Sequence, residues 1–445
     1  MGGDGAGVKS ASREVAFQVV RDVFGQERRL AQAALDVRSR RAGLDPRDRA
    51  FATELAYGTI KHLRLLDWML EPYVGARRKS LDPAIAEILR LGVYQLRCMA
   101  AVEDHAAVSE TVDLVWRHGH RGTVGLVNAV LRKVASEPPV APRPEDFATT
   151  DDYYGVAYSV PTWVARQFGE VLGDEREAAL AGVDRAPRAA VTVNRLRGDV
   201  AAARAALSER GVETEISPLV PDTLLVAAGP VSTDPDGRWF VQGEAAAIPV
   251  DLLDAAPGES VLELCSGRGH KSVALAARMG DAGSLVCVEQ DERKIPVLES
   301  ALKLAGISIA AIVAGDAREA VPDLRAERVL LDAPCTGLGT IGRHPEARWR
   351  KTPEDGARLG VAQAALLRAA ADRTAPGGRL VYSVCSIDPR EGRDVVTAFL
   401  AERAEFARVV PPERYASLVR DGDVLVPPGI EGRDGFYVAT LVRAR

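Results

Sequence analysis

The sequence predicts a multidomain chain: an all-helical N-terminal domain, a small α+β subdomain, and a C-terminal α/β domain built on an open parallel sheet. Three observations lead there. The 445 residues exceed one ordinary domain. Apolar residues recur at helical spacing from about 11 to 135, and beyond about 238 apolar strand-like runs alternate with helical stretches. The boundaries read as a disordered tail over 1–10, the helical domain over 11–137, a linker over 138–150, the α+β subdomain over 151–237 and the α/β domain over 238–445.

Composition is that of a soluble globular protein, with 47% hydrophobic and 27% charged residues. No run of about eighteen apolar residues occurs, and the opening MGGDGAGVKSASRE is polar, so neither a membrane span nor a secretory signal is expected. The five cysteines, at 98, 265, 287, 335 and 385, are odd in number and scattered, which suits a reducing cytoplasm better than a disulfide framework. The net charge of -5 hides an asymmetry, since residues 1–140 carry more Lys and Arg than Asp and Glu. The excess is small, and scattered arginines on helices ordinarily form a solvated face.

In ASREVAFQVVRDVF, the residues Val15, Ala16, Val19, Val20, Val23 and Phe24 recur at helical spacing, with Ser12 as a candidate N-cap. Further stripes, from Phe51, Leu55 and Ile60, from Ile85, Ile88, Leu89 and Leu96, and from Val127, Val130, Leu131 and Val134, read as core faces. Asp45 with Pro46 and Asp82 with Pro83 mark helix starts, because aspartate caps and proline suits the first turn. The basic cluster Arg77, Arg78 and Lys79 reads as solvated surface. SEPPVAPRPEDF, with its run of prolines, is the plainest linker. After it, Val191–Leu196 and Thr223–Val226 alternate like short strands around the helical AAARAALSERG.

The α/β domain opens with SVLELCSGRGHKSVALAARMG: a strand over Ser260–Leu264, a turn at Gly267 and Gly269, and a helix over Ser272–Met279. Such a turn brings backbone N–H groups and a helix N-terminus against a ligand. It lacks the GxxxxGK[ST] pattern of a phosphate loop. The next strand, SLVCVEQD, carries Glu289 at its end, where a ribose diol would be bound, and IAAIVAGDAR ends in Asp316. This layout suits an adenosine-type cofactor and does not by itself separate S-adenosylmethionine from NAD.

Two later strands each deliver a thiol to a turn. VLLDAPCTGLGTIGRHP ends in Asp332, Ala333, Pro334 and Cys335, and VYSVCSIDP places Cys385 before Asp388 and Pro389. If the strands are neighbours in a parallel sheet, both sulfurs face one crevice with Asp332 beside them. Neither cysteine lies in a CxxC pair or has a His at metal-ligand spacing, so no metal site is expected. Both could be small buried hydrophobes. Their place just past strand ends, in turns held by proline, favours a nucleophile.

Taken together, the glycine loop, DAPCTGLGTIGRHP and VYSVCSIDP resemble the RsmB/Sun family of RNA cytosine-5 methyltransferases. PRDRAFATELAYGTIKHLRLLDWML, ILRLGVYQLR, HAAVSETVDL and GLVNAVLRKV look like the NusB-like domain of its RsmB branch. YSVPTWVARQF, WFVQGEAA and DGFYVATL extend the likeness over nearly all of residues 11–445. The resemblance implies an all-α NusB-like RNA-binding domain and a Rossmann-like class I methyltransferase domain. It implies S-adenosyl-L-methionine as methyl donor and RNA, chiefly small-subunit ribosomal RNA, as partner, with a monomer the simplest expectation. Residue by residue, Cys385 would attack carbon-6 of cytosine, Cys335 would assist product release, and Asp332 with Lys271 would meet the base edge. Glu289 and Asp316 would hold ribose and adenine. Cys265, Ser266, Gly267, Arg268, Gly269, His270 and Lys271 would line the methionine end, with Asp332 bordering both ligands. Arg343, His344, Arg348, Trp349, Arg350 and Lys351 would grip RNA by charge and stacking.

The chain departs from the family pattern in places. Where the family has CAAPGGKT it reads CSGRGHKS, with Arg268 and His270, and the acid of the second strand is Glu289 rather than aspartate. Val384 replaces a threonine, Gly243 an aspartate and Ala301 an asparagine, and the run after Pro389 holds Glu391, Gly392 and Arg393. Two other readings stand beside the enzyme: a non-catalytic RNA-binding protein on a degenerate methyltransferase scaffold, and a dinucleotide oxidoreductase, which would have no need of the two strand-end cysteines.

Overall fold

The structure is a computed structural model and describes residues 5–26, 28–75 and 80–445. The chain forms two compact units, Met1–Gln167 with His344–Arg350, and Phe168–Arg343 with Lys351–Arg445. No helix among the described residues is long and apolar enough to cross a membrane.

The first unit is helical: Gly5–Phe24, Ala31–Ala42, Pro46–Lys61, Leu63–Val74, Pro83–Cys98, Asp104–His118, Arg121–Ser136 and Thr150–Ala157. The expected stripes meet in one core, where Val15, Val19, Leu55, Ile60, Ile85, Ile88 and Leu131 are buried. Both aspartate caps form, with Asp45 accepting from the Asp48 N–H and Asp82 from the Ala84 N–H, each at 2.8 Å. The first helix begins at Gly5, inside the stretch expected as a tail, so Ser12 lies buried within it instead of capping it. Once the Val15–Phe24 face is packed, each residue added at the N-terminus gains a hydrogen bond without a new nucleation cost. The Arg77–Lys79 cluster lies outside the described residues.

Residues 151–167 pack with this helical unit, ahead of the strands of the α+β subdomain expected from residue 151. Ser159 explains why: its hydroxyl accepts from the Arg64 N–H at 3.0 Å, capping the helix Leu63–Val74, while the Arg64 guanidinium donates to the Val160 carbonyl at 2.8 Å. A cap supplied from so far along the chain leaves no local signature.

The second unit holds two sheets. Strands β1 (Ala190–Val193), β2 (Glu213–Ile216), β3 (Thr223–Ala228) and β4 (Trp239–Val241) form an antiparallel sheet in the order β2-β3-β1-β4. β4 lies beyond the expected boundary at 237 yet pairs with β1, Val191 opposite Val241. The α+β subdomain therefore runs past that point, since a strand of three residues carries no pattern that assigns it to a sheet.

The large sheet comprises β5 (Ser260–Leu264), β6 (Ser284–Glu289), β7 (Ala310–Ala314), β8 (Ala326–Asp332), β9 (Thr374–Val384), β10 (Phe406–Arg408), β11 (Val419–Arg420), β12 (Asp423–Val426) and β13 (Phe436–Arg443). Its order is β11-β12-β13-β9-β8-β5-β6-β7, with β10 on β13. The five strands β5 to β9 pair in parallel, whereas β13 runs antiparallel to β9, so the sheet is mixed at the end where the C-terminal strands add. From β5 the chain steps outward to β6 and β7, then returns to place β8 on the other side of β5. That reversal opens a crevice at the strand carboxyl ends, where ligands of open α/β sheets bind.

Candidate active site

Five strand ends meet at the crevice. β5 leads into a turn in which Cys265, Gly267 and Gly269 all take positive φ, 63°, 62° and 87°. At Gly269 the left-handed backbone favours glycine, and an added Cβ would press on the end of the Leu298 side chain. A helix over His270–Arg278 follows, its first N–H groups facing the turn. Beneath it Glu263 is buried and takes a hydrogen bond from Ser272, and burial pushes its carboxyl up to about 7.

Glu289 ends β6 and closes on this turn. One carboxylate oxygen accepts from the Gly267 N–H at 2.7 Å and the other from the Asp291 N–H at 2.8 Å, with Lys294 at 3.5 Å. A carboxylate offers about four lone-pair positions, so room remains for one further donor such as a hydroxyl. Asp316 follows β7 and is gripped by Arg318, whose hydrogen bonds hold its carboxyl down at about 2. Arg268 is exposed. Desolvation, then the charges of Lys271 and Arg268, lower the His270 imidazole below its ordinary value.

β8 and β9 are neighbours, and Asp332 sits opposite Ser383. Asp332 accepts from Lys271 Nζ at 2.7 Å through one oxygen and from the Ser383 hydroxyl at 2.7 Å through the other. Burial alone would lower the Lys271 ammonium, but Asp332 outweighs it and the lysine is raised. Just past these ends the Cys335 and Cys385 sulfurs lie 3.1 Å apart. The contact with Cys385, reinforced by burial, raises the Cys335 thiol well above its ordinary value. Either sulfur can be the donor in that contact. Burial also pushes the Cys265 thiol up to about 12, which makes it a packing residue of the turn and not a nucleophile. Among the described residues no cluster of His, Cys, Asp and Glu could hold a metal ion.

The basic stretch expected to grip RNA is divided. Arg343 pairs with Asp434 at 2.5 Å and donates to the Arg188 carbonyl, His344 is exposed, and Lys351 is half-buried. Arg348, Trp349 and Arg350 pack into the helical unit. Arg348 is fully buried and donates to the Ser159 and Lys61 carbonyls, the Trp349 indole to the Ile60 carbonyl at 2.7 Å, and Arg350 to the Val23 carbonyl at 2.9 Å. Val23, Ile60 and Lys61 lie in the last turns of two helices, whose carbonyls lack intrahelical partners and attract cations. Of the three side chains expected to grip RNA, Arg348 is buried, and Trp349 and Arg350 are half-buried. Sequence reasoning also missed Thr336, Gln363, Ser386 and Glu391, which link the two cysteine turns. The repeat of a hydroxyl residue directly after each cysteine was the available signal.

Comparison with known proteins bears on this geometry. Residues 250–442 match the family described as 16S rRNA methyltransferase RsmB/F. Residues 10–136 match the NusB family, and 160–232 the ferredoxin-like domain of RsmF/B-like methyltransferases. The ribosomal RNA small subunit methyltransferase B of Thermus thermophilus is 38% identical over 93% of each chain. The probable ribosomal RNA small subunit methyltransferase B of Bacillus subtilis is 30% identical over 89% of this chain and 91% of its own.

The chain belongs to the RsmB/F methyltransferase family.

The solved crystal structure of PH0851 is 27% identical, covers 97% of this chain and 98% of its own, and superposes with a TM-score of 0.81. In this family member the helical unit carries the NusB match, and strands β1, β2 and β3 of the antiparallel sheet lie within the ferredoxin-like one. The crevice of the large sheet lies inside the methyltransferase match.

Proposed function

We propose that this protein transfers a methyl group from S-adenosyl-L-methionine to carbon-5 of a cytosine in small-subunit ribosomal RNA, through a covalent bond between Cys385 and carbon-6. The observation that carries the proposal is the pair of thiols 3.1 Å apart, just past the ends of the adjacent strands β8 and β9, with the Lys271–Asp332 ion pair at the same strand ends through Asp332. Carbon-5 of cytosine is a poor nucleophile. When the Cys385 thiolate adds to carbon-6, the electron pair of the 5,6 double bond becomes available at carbon-5. Asp332 and Lys271 at the base edge offset the charge that develops on the ring.

S-Adenosylmethionine supplies an electrophilic methyl on a sulfonium. The left-handed turn at 265–269 and the helix N-terminus at His270 suit its methionine end, and Glu289 keeps capacity for a ribose hydroxyl. Asp316, just past β7 and paired with Arg318, would border the adenosine. After methylation Cys335, its own proton first passed to water, removes the carbon-5 proton as thiolate, the electrons of that C–H bond restore the double bond, and Cys385 leaves as thiolate. The target base must leave its stack to reach the sulfurs.

Bisulfite sequencing of ribosomal RNA from a strain lacking the gene tests the reading: one cytosine should lose its protection. Unchanged protection throughout, together with no S-adenosylmethionine binding by calorimetry, would instead make this a non-catalytic RNA-binding relative.

A further inference from the structure

We propose that Glu391 is a positioning residue that sets the distance between the two thiols, and through it the passage from methylated adduct to free product. The second half of this statement rests on the function proposed above, and the first half does not.

Cys335 and Cys385 lie on separate turns, and the residue after each cysteine is bound to the same carboxylate. Glu391 is fully buried. Its Oε1 accepts from the Thr336 N–H at 2.8 Å and from Gln363 Nε2 at 3.2 Å. Its Oε2 accepts from the Ser386 hydroxyl at 2.5 Å and from the Thr336 hydroxyl. The two hydroxyl oxygens are themselves 3.1 Å apart. Gln363 also donates to the Pro334 carbonyl at 2.8 Å, so the residues on both sides of Cys335 are held. Tyr382 of β9 donates to the Glu391 carbonyl at 2.5 Å, fixing the backbone that carries the carboxylate. On the other side, the Gly339 N–H donates to the Cys385 carbonyl at 3.0 Å. Gly339 is held in turn, its carbonyl accepting from the Gly435 N–H at 2.7 Å.

Four donors converge on one group, and only a carboxylate accepts from all of them. A glutamine here fills the same volume but turns an NH2 toward hydroxyls that now spend their protons on Oε2. The spacing matters because the sulfurs serve neighbouring atoms of one ring: Cys385 bonds carbon-6 while Cys335 takes the proton from carbon-5. Displacement of a reacting group by about 1 Å can cost about 100-fold in rate.

The test compares wild type with Glu391→Gln and Glu391→Asp. Diamide, an azo compound, takes two hydrogen atoms from the thiols and becomes a hydrazine as the Cys335–Cys385 bond forms, and peptide mass mapping follows that one crosslink. In Glu391→Gln the crosslinking rate should fall about 10-fold or more, with Glu391→Asp between. For methyl transfer, kcat should fall about 100-fold while KM for RNA and for S-adenosylmethionine stays within a factor of about three, and an RNA adduct that survives denaturation should accumulate. Crosslinking at the wild-type rate in folded Glu391→Gln would overturn the proposal, as would a fall in kcat/KM that lies wholly in KM. Slowed crosslinking in a protein that methylates no RNA would uphold the positioning of the sulfurs and overturn the proposed reaction instead.

Discussion

One continuous stretch, residues 332–351, contains two unlike regions. The first, Asp332 to Thr336, carries charge and sulfur to a crevice, where Asp332 is met by the side chains of Lys271 and Ser383. The second, His344 to Arg350, carries charge and an aromatic ring into the helical unit, where Arg348, Trp349 and Arg350 donate to backbone carbonyls at helix ends. Glu346 belongs to the same arrangement, accepting from the Ala31 N–H at the start of the helix Ala31–Ala42. Both regions contain charged side chains with hydrogen-bond partners. In the first the partners are side chains that a substrate can displace or share, and in the second they are orphan backbone groups satisfied for good. Charge together with an aromatic ring thus marks an RNA grip only when solvent reaches it.

The largest effect should fall on the first region. Cys385→Ala should lower methyl transfer at least about 1,000-fold with the thermal midpoint kept, read by transfer of labelled methyl to RNA, and undiminished activity would remove the nucleophile assigned here. Cys335→Ala should leave the protein trapped on its RNA as a band that survives denaturation. Next comes Asp332→Asn, with an expected loss of about 100- to 1,000-fold in kcat. The same variant has a pH signature. Lys271 is raised in the folded protein, so its pairing contributes stability that is fully present below about pH 10.4, the ordinary lysine value, and is lost as pH rises through the higher folded value. Urea melts of wild type and Asp332→Asn should therefore converge in strongly alkaline solution, and a constant gap would show that Lys271 does not depend on Asp332.

The second region should answer in stability. Arg348→Ala should cost about 2–4 kcal/mol by urea unfolding, because it strands helix-end carbonyls in the interior. It should leave the slope of RNA affinity against salt unchanged, whereas an arginine on phosphate would reduce that slope by about one. A reduced slope would break the comparison. The smallest effect is expected at Asp45→Ala, about 1 kcal/mol from the lost helix cap, with methyl transfer untouched.

Several elements were legible because their signals are local. Asp45-Pro46 and Asp82-Pro83 start helices where they were read, and the Gly267–Gly269 turn joins strand to helix. β8 and β9 end where Asp332 and Cys385 required them to. Other features were hidden because the partner lies far along the chain. Ser159 caps a helix near residue 64, β4 pairs with β1 across the expected boundary, and Arg348 is buried against carbonyls that every residue possesses. No periodicity announces such pairings.

By itself, then, the sequence determined which segments become strands, helices and turns, and which strand ends carry the thiols, because capping, glycine turns and apolar periodicity act within a few residues. Only the tertiary structure decided that β8 and β9 lie side by side, that the two sulfurs meet, that Glu391 ties both turns together, and that Arg348 turns inward. Each of these depends on hydrogen bonds and packing between residues distant in sequence, and those contacts exist only once the chain has closed on itself.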